Sequence, residues 1–292
     1  MRRLLAATVL SFLLGGLLLA AAPPAAAQED TLAKIKRTGA MTIGFRESSP
    51  PFSFLAGNDP KPQGYSIDLC LRIVDGIKKE LALPQLDVKW VKVTPETRIA
   101  SVANGTVDIE CGSTTNNLAR QQQVDFSYSF YVTGGRLLAS KASGIKEIED
   151  LKGKVVGVAP GTSNEKVLKE WLEKLKIETR VVSVRDHAEG MLALETGRID
   201  AYAHDEVGAY SILSKSTQKD KFHVVGRLLS FDPYGLMVRR DDSAFKFTVN
   251  RTLAMIFRSG EVYPMYKKHF DPFSIPMTEA VDWNFKLNAM PD

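Results

Sequence analysis

The sequence has few of the residues and motifs on which enzymes and metalloproteins commonly depend. Its two cysteines and four scattered histidines show no metal-ligand spacing, which argues against a bound metal. The G-x-S-x-G, H-E-x-x-H and G-x-x-x-x-G-K-[ST] motifs are absent. Long lysine and arginine runs are also absent and the net charge is only +4, which argues against a nucleic-acid partner. We therefore predict no cofactor and no metal for this globular composition.

Long apolar runs are lacking too, except at the N-terminus. Residues 4–22 are almost wholly apolar or small, they follow two arginines, and Ala25 and Ala27 fit the pattern that signal peptidase recognises. We predict that residues 1–27 are a cleaved signal peptide and that the chain is exported. A transmembrane anchor is the alternative, since about 20 apolar residues span a bilayer.

Export bears on the two cysteines, because disulfides persist outside the cytoplasm. A Cys70–Cys111 bridge would stabilise the protein by roughly 3–4 kcal/mol. However, Cys70 falls within a predicted helix and Cys111 at the end of a predicted strand, so both can equally be small core residues. The sequence leaves the choice open.

Strands and helices alternate along the rest of the chain. The first half has predicted strands at 41–45, 86–93 and 107–111 and helices at 67–82 and 96–103. The second half has strands at 154–159, 179–183 and 199–203, with helices at 162–174, 186–195 and 205–213. A strand at 234–239 and helices at 243–258 and 260–269 follow. This alternation is typical of an α/β fold with largely parallel sheets.

An internal repeat indicates two lobes. Residues 104–109 (NGTVDI) and 196–201 (TGRIDA) are similar, and each follows a short helix and opens a strand. The simpler interpretation is that such units recur in any α/β protein. We favour two lobes, because a cleft between lobes suits a small ligand.

The lobes have predicted boundaries. We assign residues 28–136 to the first lobe, 137–235 to the second, and 236–292 to a return into the first lobe. Two crossing strands, near 133–139 and 234–238, are expected to join them.

Three arginines follow predicted strands of the first lobe. Arg46, Arg98 and Arg120 each come at or soon after the carboxyl end of a strand, which is the edge where open α/β sheets bind ligands. Each could simply pair with a surface acid. Together they would suit a ligand with two carboxylates, because a guanidinium binds a carboxylate through two parallel hydrogen bonds.

Two polar segments at predicted helix starts could also hold an anion. Residues 112–117 (GSTTNN) precede the helix with Arg120, and residues 160–165 (PGTSNE) begin the helix at 162–174. Thr162 and Glu165 fit a capping box, so ordinary helix capping is the alternative for both segments.

Several motifs together resemble a known family, the periplasmic glutamate/aspartate-binding proteins of solute-binding protein family 3 of ABC transporters. The motifs are Arg46-Glu47-Ser48-Ser49, Gly64-Tyr65-Ser66, Thr97-Arg98-Ile99 and ECGSTTNN at 110–117. The match continues through Gly161-Thr162, Asp186-His187, Asp205 and Tyr234-Gly235. The resemblance implies a two-lobed α/β fold of type II, with the ligand in a cleft between lobes that two crossing strands join.

The resemblance also implies which residues hold the backbone groups of the ligand. Arg120, Ser113 and Thr115 resemble the group that binds the α-carboxylate, with part of the α-amino group. Asp205 resembles the carboxylate that pairs with the α-ammonium.

Four further residues are implied at the side-chain end and in the second lobe. Arg46 and Arg98 resemble the pair that meets the side-chain carboxylate. Thr162 and His187 resemble contributions from the second lobe, although Asp186-His187 at a helix start is also a common cap. Where Pro95 and Ala159 stand, relatives carry hydroxyl residues, so the choice between glutamate, aspartate and their amides stays open.

The implied function is capture of L-glutamate or L-aspartate in the periplasm for an ABC transporter permease in the inner membrane. A monomer without enzymatic activity is expected. One alternative is a periplasmic dehydratase of the same fold that acts on prephenate or arogenate, with Glu47, Glu110 or His187 as the general acid. Another is docking on a sensor in place of a permease, which the sequence does not distinguish.

Overall fold

The computed structural model describes residues 29–291, so the predicted signal peptide lies outside the described residues. The elements of the first part are α1 (Thr31–Thr38), β1 (Ala40–Phe45), β2 (Ser48–Ser49), β3 (Ser53–Phe54), α2 (Tyr65–Glu80), β4 (Asp87–Lys92), α3 (Arg98–Ala103), β5 (Ile109–Glu110), α4 (Leu118–Gln121), β6 (Val124–Phe126) and β7 (Tyr131–Thr133). The middle part contains β8 (Gly135–Ser140), β9 (Val155–Val158), α5 (Ser163–Leu175), β10 (Arg180–Ser183), α6 (His187–Glu195), β11 (Ala201–Asp205), α7 (Glu206–Ser214), β12 (Phe222–Val225) and β13 (Asp232–Tyr234). The chain ends with β14 (Met237–Arg239), α8 (Ser243–Ser259), α9 (Val262–Phe270) and α10 (Glu279–Asn288). Short 3-10 helices occupy Lys141–Ser143, Ile148–Leu151, Lys219–Lys221 and Asp271–Phe273.

Two five-stranded sheets define two lobes, as the sequence predicted. The first sheet has the order β4-β1-β5-β14-β6, and the second has the order β10-β9-β11-β8-β12. In each sheet four strands run in the same direction, and one strand, β14 in the first sheet and β8 in the second, runs antiparallel to them. Helices cover the faces, which is why β1 and β11 are buried almost throughout. None of the helices within residues 29–291 is long and apolar enough to cross a membrane.

The core of the first lobe joins distant parts of the chain. Ile73 and Ile77, one turn apart on α2, share a fully buried cluster with Val249 and Leu253 of α8. Each such aliphatic side chain stabilises the fold by about 1.5–3 kcal/mol. The C-terminal helices therefore hold the first lobe together.

A short two-stranded ribbon connects the lobes. Strand β7 pairs with β13 in antiparallel register, with Tyr131 opposite Tyr234. The ribbon lies a few residues before the crossing strands that we predicted, because β8 and β14 already belong to the two large sheets. The single strand predicted at 234–239 is thus divided at Gly235 and Leu236 between the ribbon and the first sheet.

The internal repeat has a structural counterpart. Asp108 accepts a hydrogen bond of 2.8 Å from the backbone N–H of Thr42, in the first strand of its lobe. Asp200 accepts one of 2.8 Å from Val155, in the first parallel strand of the second lobe. The backbone N–H groups of both aspartates bond to the same strands in return. In both lobes, therefore, an aspartate directly before a strand (β5 or β11) holds the start of that strand against the neighbouring strand (β1 or β9).

The two cysteines are joined in a disulfide. The bridge ties Cys70, within α2, to Cys111, directly after β5, and both residues are fully buried. It therefore fixes the helix beneath the strand whose carboxyl end leads into the polar segment at 112–117.

Candidate functional site

The three arginines meet at one edge of the first sheet. Arg46 follows β1, Arg98 begins α3 after β4, and Arg120 lies in α4 after β5. All three are buried, with exposed fractions of 1%, 3% and 7%. Buried charges are costly unless they are paired, so three of them at one edge make this edge a candidate binding site.

The guanidinium groups of Arg46 and Arg98 are only partly satisfied. Arg98 donates to the Thr114 hydroxyl at 2.6 Å, and Thr114 donates in turn to Glu110 Oε2 at 2.8 Å. Among the described residues, both terminal nitrogens of Arg46 and the Nε of Arg98 have no hydrogen-bond partner. Burial, and then the charge of Arg98, lower the pKa of Arg46 to about 10, so it stays charged at neutral pH. These donors are available to an anion.

Arg120 connects the two lobes. Its Nη1 donates to the carbonyl of Thr115 at 2.7 Å, and its Nη2 donates across the cleft to the carbonyl of Gly161 at 3.0 Å. Nearby, the hydroxyls of Thr115 and Ser163 lie 3.0 Å apart, again from opposite lobes. Burial, followed by the charge of Arg98, lowers the pKa of Arg120 to about 10.

Gly161 permits this close approach of the lobes. A Cβ at this position would lie 2.8 Å from the carbonyl oxygen of Pro95 in the first lobe, and its φ of +74° favours glycine. Any larger residue would push the lobes apart at this contact.

Asp205 supplies a carboxylate from the second lobe. It ends β11, and Asn164 donates to its Oδ1 at 3.0 Å, while the Tyr234 hydroxyl donates to its Oδ2. Burial raises the pKa of Asp205, although the hydrogen bonds from Tyr234 and Asn164 act in the opposite direction. The ammonium group of a ligand would favour the ionised carboxylate and so lower the pKa of Asp205.

His187 lies in the same region of the second lobe. It begins α6, whose N-cap is Asp186, and its Nδ1 lies 2.8 Å from the hydroxyl of Tyr202. Its ring stacks on His204, with centroids 3.9 Å apart. Burial, then the neighbouring His204, hold the pKa of His187 well below its usual range, so the ring is neutral.

Two of the predicted site residues, Thr162 and Ser113, make hydrogen bonds within the protein. The Thr162 hydroxyl donates to the Ala159 carbonyl at 2.7 Å and accepts from the backbone N–H of Glu165 at 3.2 Å. It therefore serves as the N-cap of α5, the alternative that the sequence left open. Ser113 is half-buried, and its carbonyl accepts a hydrogen bond of 3.3 Å from Arg98. Contacts of both side chains with a ligand stay predictions.

Sequence reasoning missed three residues of this region. Asn164, Tyr202 and His204 are buried and contact Asp205 or His187. A signal for His204 existed, because it directly precedes Asp205 at the carboxyl end of a predicted strand. Asn164 lies in the polar segment at 160–165 but was not singled out, and Tyr202 carried no signal, since its partner His187 comes from another element. Groups of three or more histidine, cysteine, aspartate or glutamate residues that could hold a metal are not found within residues 29–291.

Two α/β lobes that enclose polar groups between them define a type II solute-binding protein. The chain belongs to the bacterial extracellular solute-binding proteins, family 3, which it matches over residues 41–272. It is 45% identical over 269 residues to an L-glutamate/L-aspartate-binding protein of Pseudomonas aeruginosa, covering 89% of this chain and 88% of that one. It is 39% identical over 258 residues to a glutamate/aspartate import solute-binding protein of Escherichia coli, covering 88% and 84%.

A solved structure agrees with the fold. A mutant of ArgBP from T. maritima superposes with a TM-score of 0.73 at 26% identity, covering 82% of this chain and 99% of that one. The curated relatives are binding proteins and not enzymes, so the chain is a binding protein and the dehydratase alternative is not favoured.

Proposed function

We propose that the protein captures an acidic L-amino acid, L-glutamate or L-aspartate, between its lobes. The observation that carries the proposal is the set of unpartnered, buried guanidinium nitrogens of Arg46 and Arg98, which lie in the lobe opposite Asp205. Glu110 is the buried carboxylate whose charge acts on both arginines. Two buried guanidinium groups beside this one carboxylate keep an excess of positive charge, which suits an anionic ligand.

The ligand groups divide among the residues as follows. The α-ammonium pairs with Asp205, and the α-carboxylate is held by Arg120, with Ser113 and Thr115. The side-chain carboxylate meets Arg46 and Arg98. Thr162 and His187 complete the site from the second lobe.

Capture works by closure of the lobes. A ligand that contacts both lobes binds the closed form more tightly than the open form and so shifts the population towards it. The interlobe bonds from Arg120 to Gly161 and between Thr115 and Ser163 support such a closed form. We propose that the closed protein, a periplasmic monomer freed of residues 1–27, delivers its ligand to an ABC transporter permease in the inner membrane.

The test is titration calorimetry with glutamate, aspartate, glutamine and asparagine on wild type and Arg46→Ala. Arg46 is fully buried and its charge interacts with Glu110, so thermal unfolding of the ligand-free variant is measured as well, to separate a loss of affinity from a loss of folding. The affinity of the variant for the preferred acid should fall by about 100-fold, the effect of a charged hydrogen-bonding group. Arg180→Ala, at an exposed position on β10, is the matched control and should bind like wild type. Folded wild-type protein that binds no acidic amino acid would refute the proposal.

A further inference from the structure

Two buried side chains surround His187 and have no role in the family resemblance. His204 stacks on the His187 ring at an interplanar angle of 17°, and Tyr202 meets its Nδ1. Tyr202 is fully buried and His204 is 4% exposed. The three side chains form a continuous unit within the second lobe.

The orientation of His204 is fixed by the backbone. Its Nδ1 accepts a hydrogen bond of 2.8 Å from the N–H of Asp205, so this nitrogen carries no proton. Burial and the charge of Arg46 lower the pKa of His204 to about 3, and the ring stays neutral with its proton on Nε2. His204 is therefore a flat, uncharged surface against which His187 rests.

The hydroxyl of Tyr202 decides the tautomer of His187. Among the described residues, His187 Nδ1 is the one hydrogen-bond partner of this hydroxyl. If Nδ1 carried the proton, the buried hydroxyl proton would have no acceptor, which is unfavourable. Burial raises the pKa of Tyr202, so the hydroxyl keeps its proton and donates it. The proton of neutral His187 is then on Nε2, the nitrogen that Tyr202 does not use.

Two helix glycines leave room for this unit. A Cβ on Gly190 of α6 would lie 2.6 Å from Cζ of Tyr202, and one on Gly208 of α7 would lie 2.3 Å from Nε2 of His204. Glycine is disfavoured inside helices, so both positions give up some helix stability to admit the rings. The two glycines therefore indicate, independently of the hydrogen bonds, that the rings of Tyr202 and His204 are held in fixed positions.

We propose that Tyr202 and His204 are positioning residues that hold His187 as an Nε2–H donor, and thereby make the site select a side-chain carboxylate over an amide. This inference rests on the proposed function. With Nε2–H in place, Arg46, Arg98 and His187 all present donors. Both oxygens of a carboxylate can accept hydrogen bonds from these donors. An amide accepts only through its oxygen, and its NH2 group would face a donor without an acceptor. The other tautomer of His187 would present an acceptor and admit the amide.

The variant that tests this role is Tyr202→Phe, which keeps the ring and removes the donor. We expect wild type to prefer glutamate to glutamine, or aspartate to asparagine. The ratio of the two dissociation constants should fall by about tenfold in Tyr202→Phe, as expected for one hydrogen bond. The control is Tyr263→Phe, which removes a tyrosine hydroxyl that donates to Asp282 at 2.9 Å on the first lobe, and its ratio should not change. An unchanged ratio in Tyr202→Phe would overturn the proposal.

A second measurement reads the tautomer directly. Long-range 1H–15N spectra of the ligand-free protein should show His187 protonated on Nε2 in wild type and a mixture of tautomers in Tyr202→Phe. Only four imidazoles contribute, and His223→Gln and His269→Gln assign two of them. A proton on Nδ1 in wild type would refute the role of Tyr202. If wild type bound no acidic amino acid, the proposed function would fail, while the spectra would still decide the tautomer.

Discussion

Arg120 donates a hydrogen bond of 3.0 Å from its Nη2 to the carbonyl of Gly161, and this bond spans the two lobes. The same guanidinium holds the carbonyl of Thr115 through Nη1. Arg120 thus needs its two terminal nitrogens in a fixed plane, one for each lobe. A compact ammonium group cannot satisfy both positions.

Arg120→Lys should therefore weaken ligand binding although the charge is kept. We expect the affinity for the preferred acidic amino acid to fall by between about 10- and 100-fold, because one interlobe bond and the bidentate geometry are lost. Titration calorimetry measures this, with Arg180→Lys on the exposed face of β10 as the control. Wild-type affinity in Arg120→Lys would show that closure does not depend on the bond to Gly161.

Tyr234→Phe should make binding more sensitive to acid. Burial already raises the pKa of Asp205, and the Tyr234 hydroxyl opposes that rise by donating to Oδ2. Without the donor the pKa of Asp205 rises further, so its carboxylate is protonated at a higher pH and no longer pairs with an ammonium. Titrations between pH 5 and 8 should show the loss of affinity beginning at higher pH in the variant than in wild type. Coincident pH profiles would exclude this role, and Tyr263→Phe serves again as the control.

His204 should make the protein less stable in mild acid. The pKa of His204 is about 3 in the folded protein against about 6.5 when unfolded, so the unfolded state binds a proton that the folded state does not. The stability is present above the unfolded pKa and is lost as pH falls below it, by about 2 kcal/mol at pH 5. Urea unfolding at pH 7 and pH 5 measures this, and His204→Gln should reduce the difference. An equal difference in both proteins would contradict the prediction.

The repeated aspartates should contribute similarly to the two lobes. Asp108→Asn and Asp200→Asn each weaken a hydrogen bond to the backbone N–H of a first strand, at Thr42 and Val155. We expect each variant to lower the free energy of unfolding by about 1–3 kcal/mol, with Asp108→Asn at the upper end because Asp108 also pairs with Lys34. Denaturant unfolding tests this. Neutral behaviour of Asp200→Asn would mean that the repeat has no energetic role.

Reduction of the Cys70–Cys111 bridge should destabilise the first lobe. The bridge closes a segment with a sequence separation of 41, for which the loss of unfolded-chain entropy corresponds to about 4 kcal/mol. Thermal unfolding with and without a phosphine reductant measures the effect. A Cys70→Ser/Cys111→Ser double variant is the control and should be insensitive to the reductant. An equal melting temperature for oxidised and reduced wild type would contradict the prediction.

The two lobes and the grouping of three arginines at one edge of the first sheet could be predicted from the sequence, because both depend on local patterns. Strand and helix periodicity place Arg46, Arg98 and Arg120 at carboxyl ends of strands, and a parallel sheet brings such ends together. Helix α10 went unpredicted, since ten residues that bury only Val281, Asn284 and Phe285 give a weak periodic signal.

The remaining gaps arise from tertiary contacts. The hydrogen bonds of the Thr162 hydroxyl with Ala159 and Glu165 are local, so its N-cap role could be anticipated, whereas its distance from a ligand depends on how the two lobes meet. The surroundings of His187 are set by Tyr202, a strand residue 15 positions away whose hydroxyl the sequence could not orient. The residue type thus predicts which hydrogen bonds a side chain can make, while the packing of the folded chain decides which partner it meets.

The ribbon gives the second lobe one point of entry and exit. At its base, the N–H of Leu229 donates to the carbonyl of Gly135 at 2.8 Å, and the N–H of Gly135 donates to the Ser230 hydroxyl at 2.9 Å. The stretch from 135 to 230 therefore begins and ends side by side, the arrangement that tolerates insertion of one unit into another. We expect that it can be exchanged as a cassette between relatives, which would transfer the selectivity proposed for His187 and its neighbours while Arg46, Arg98 and Arg120 stay in place.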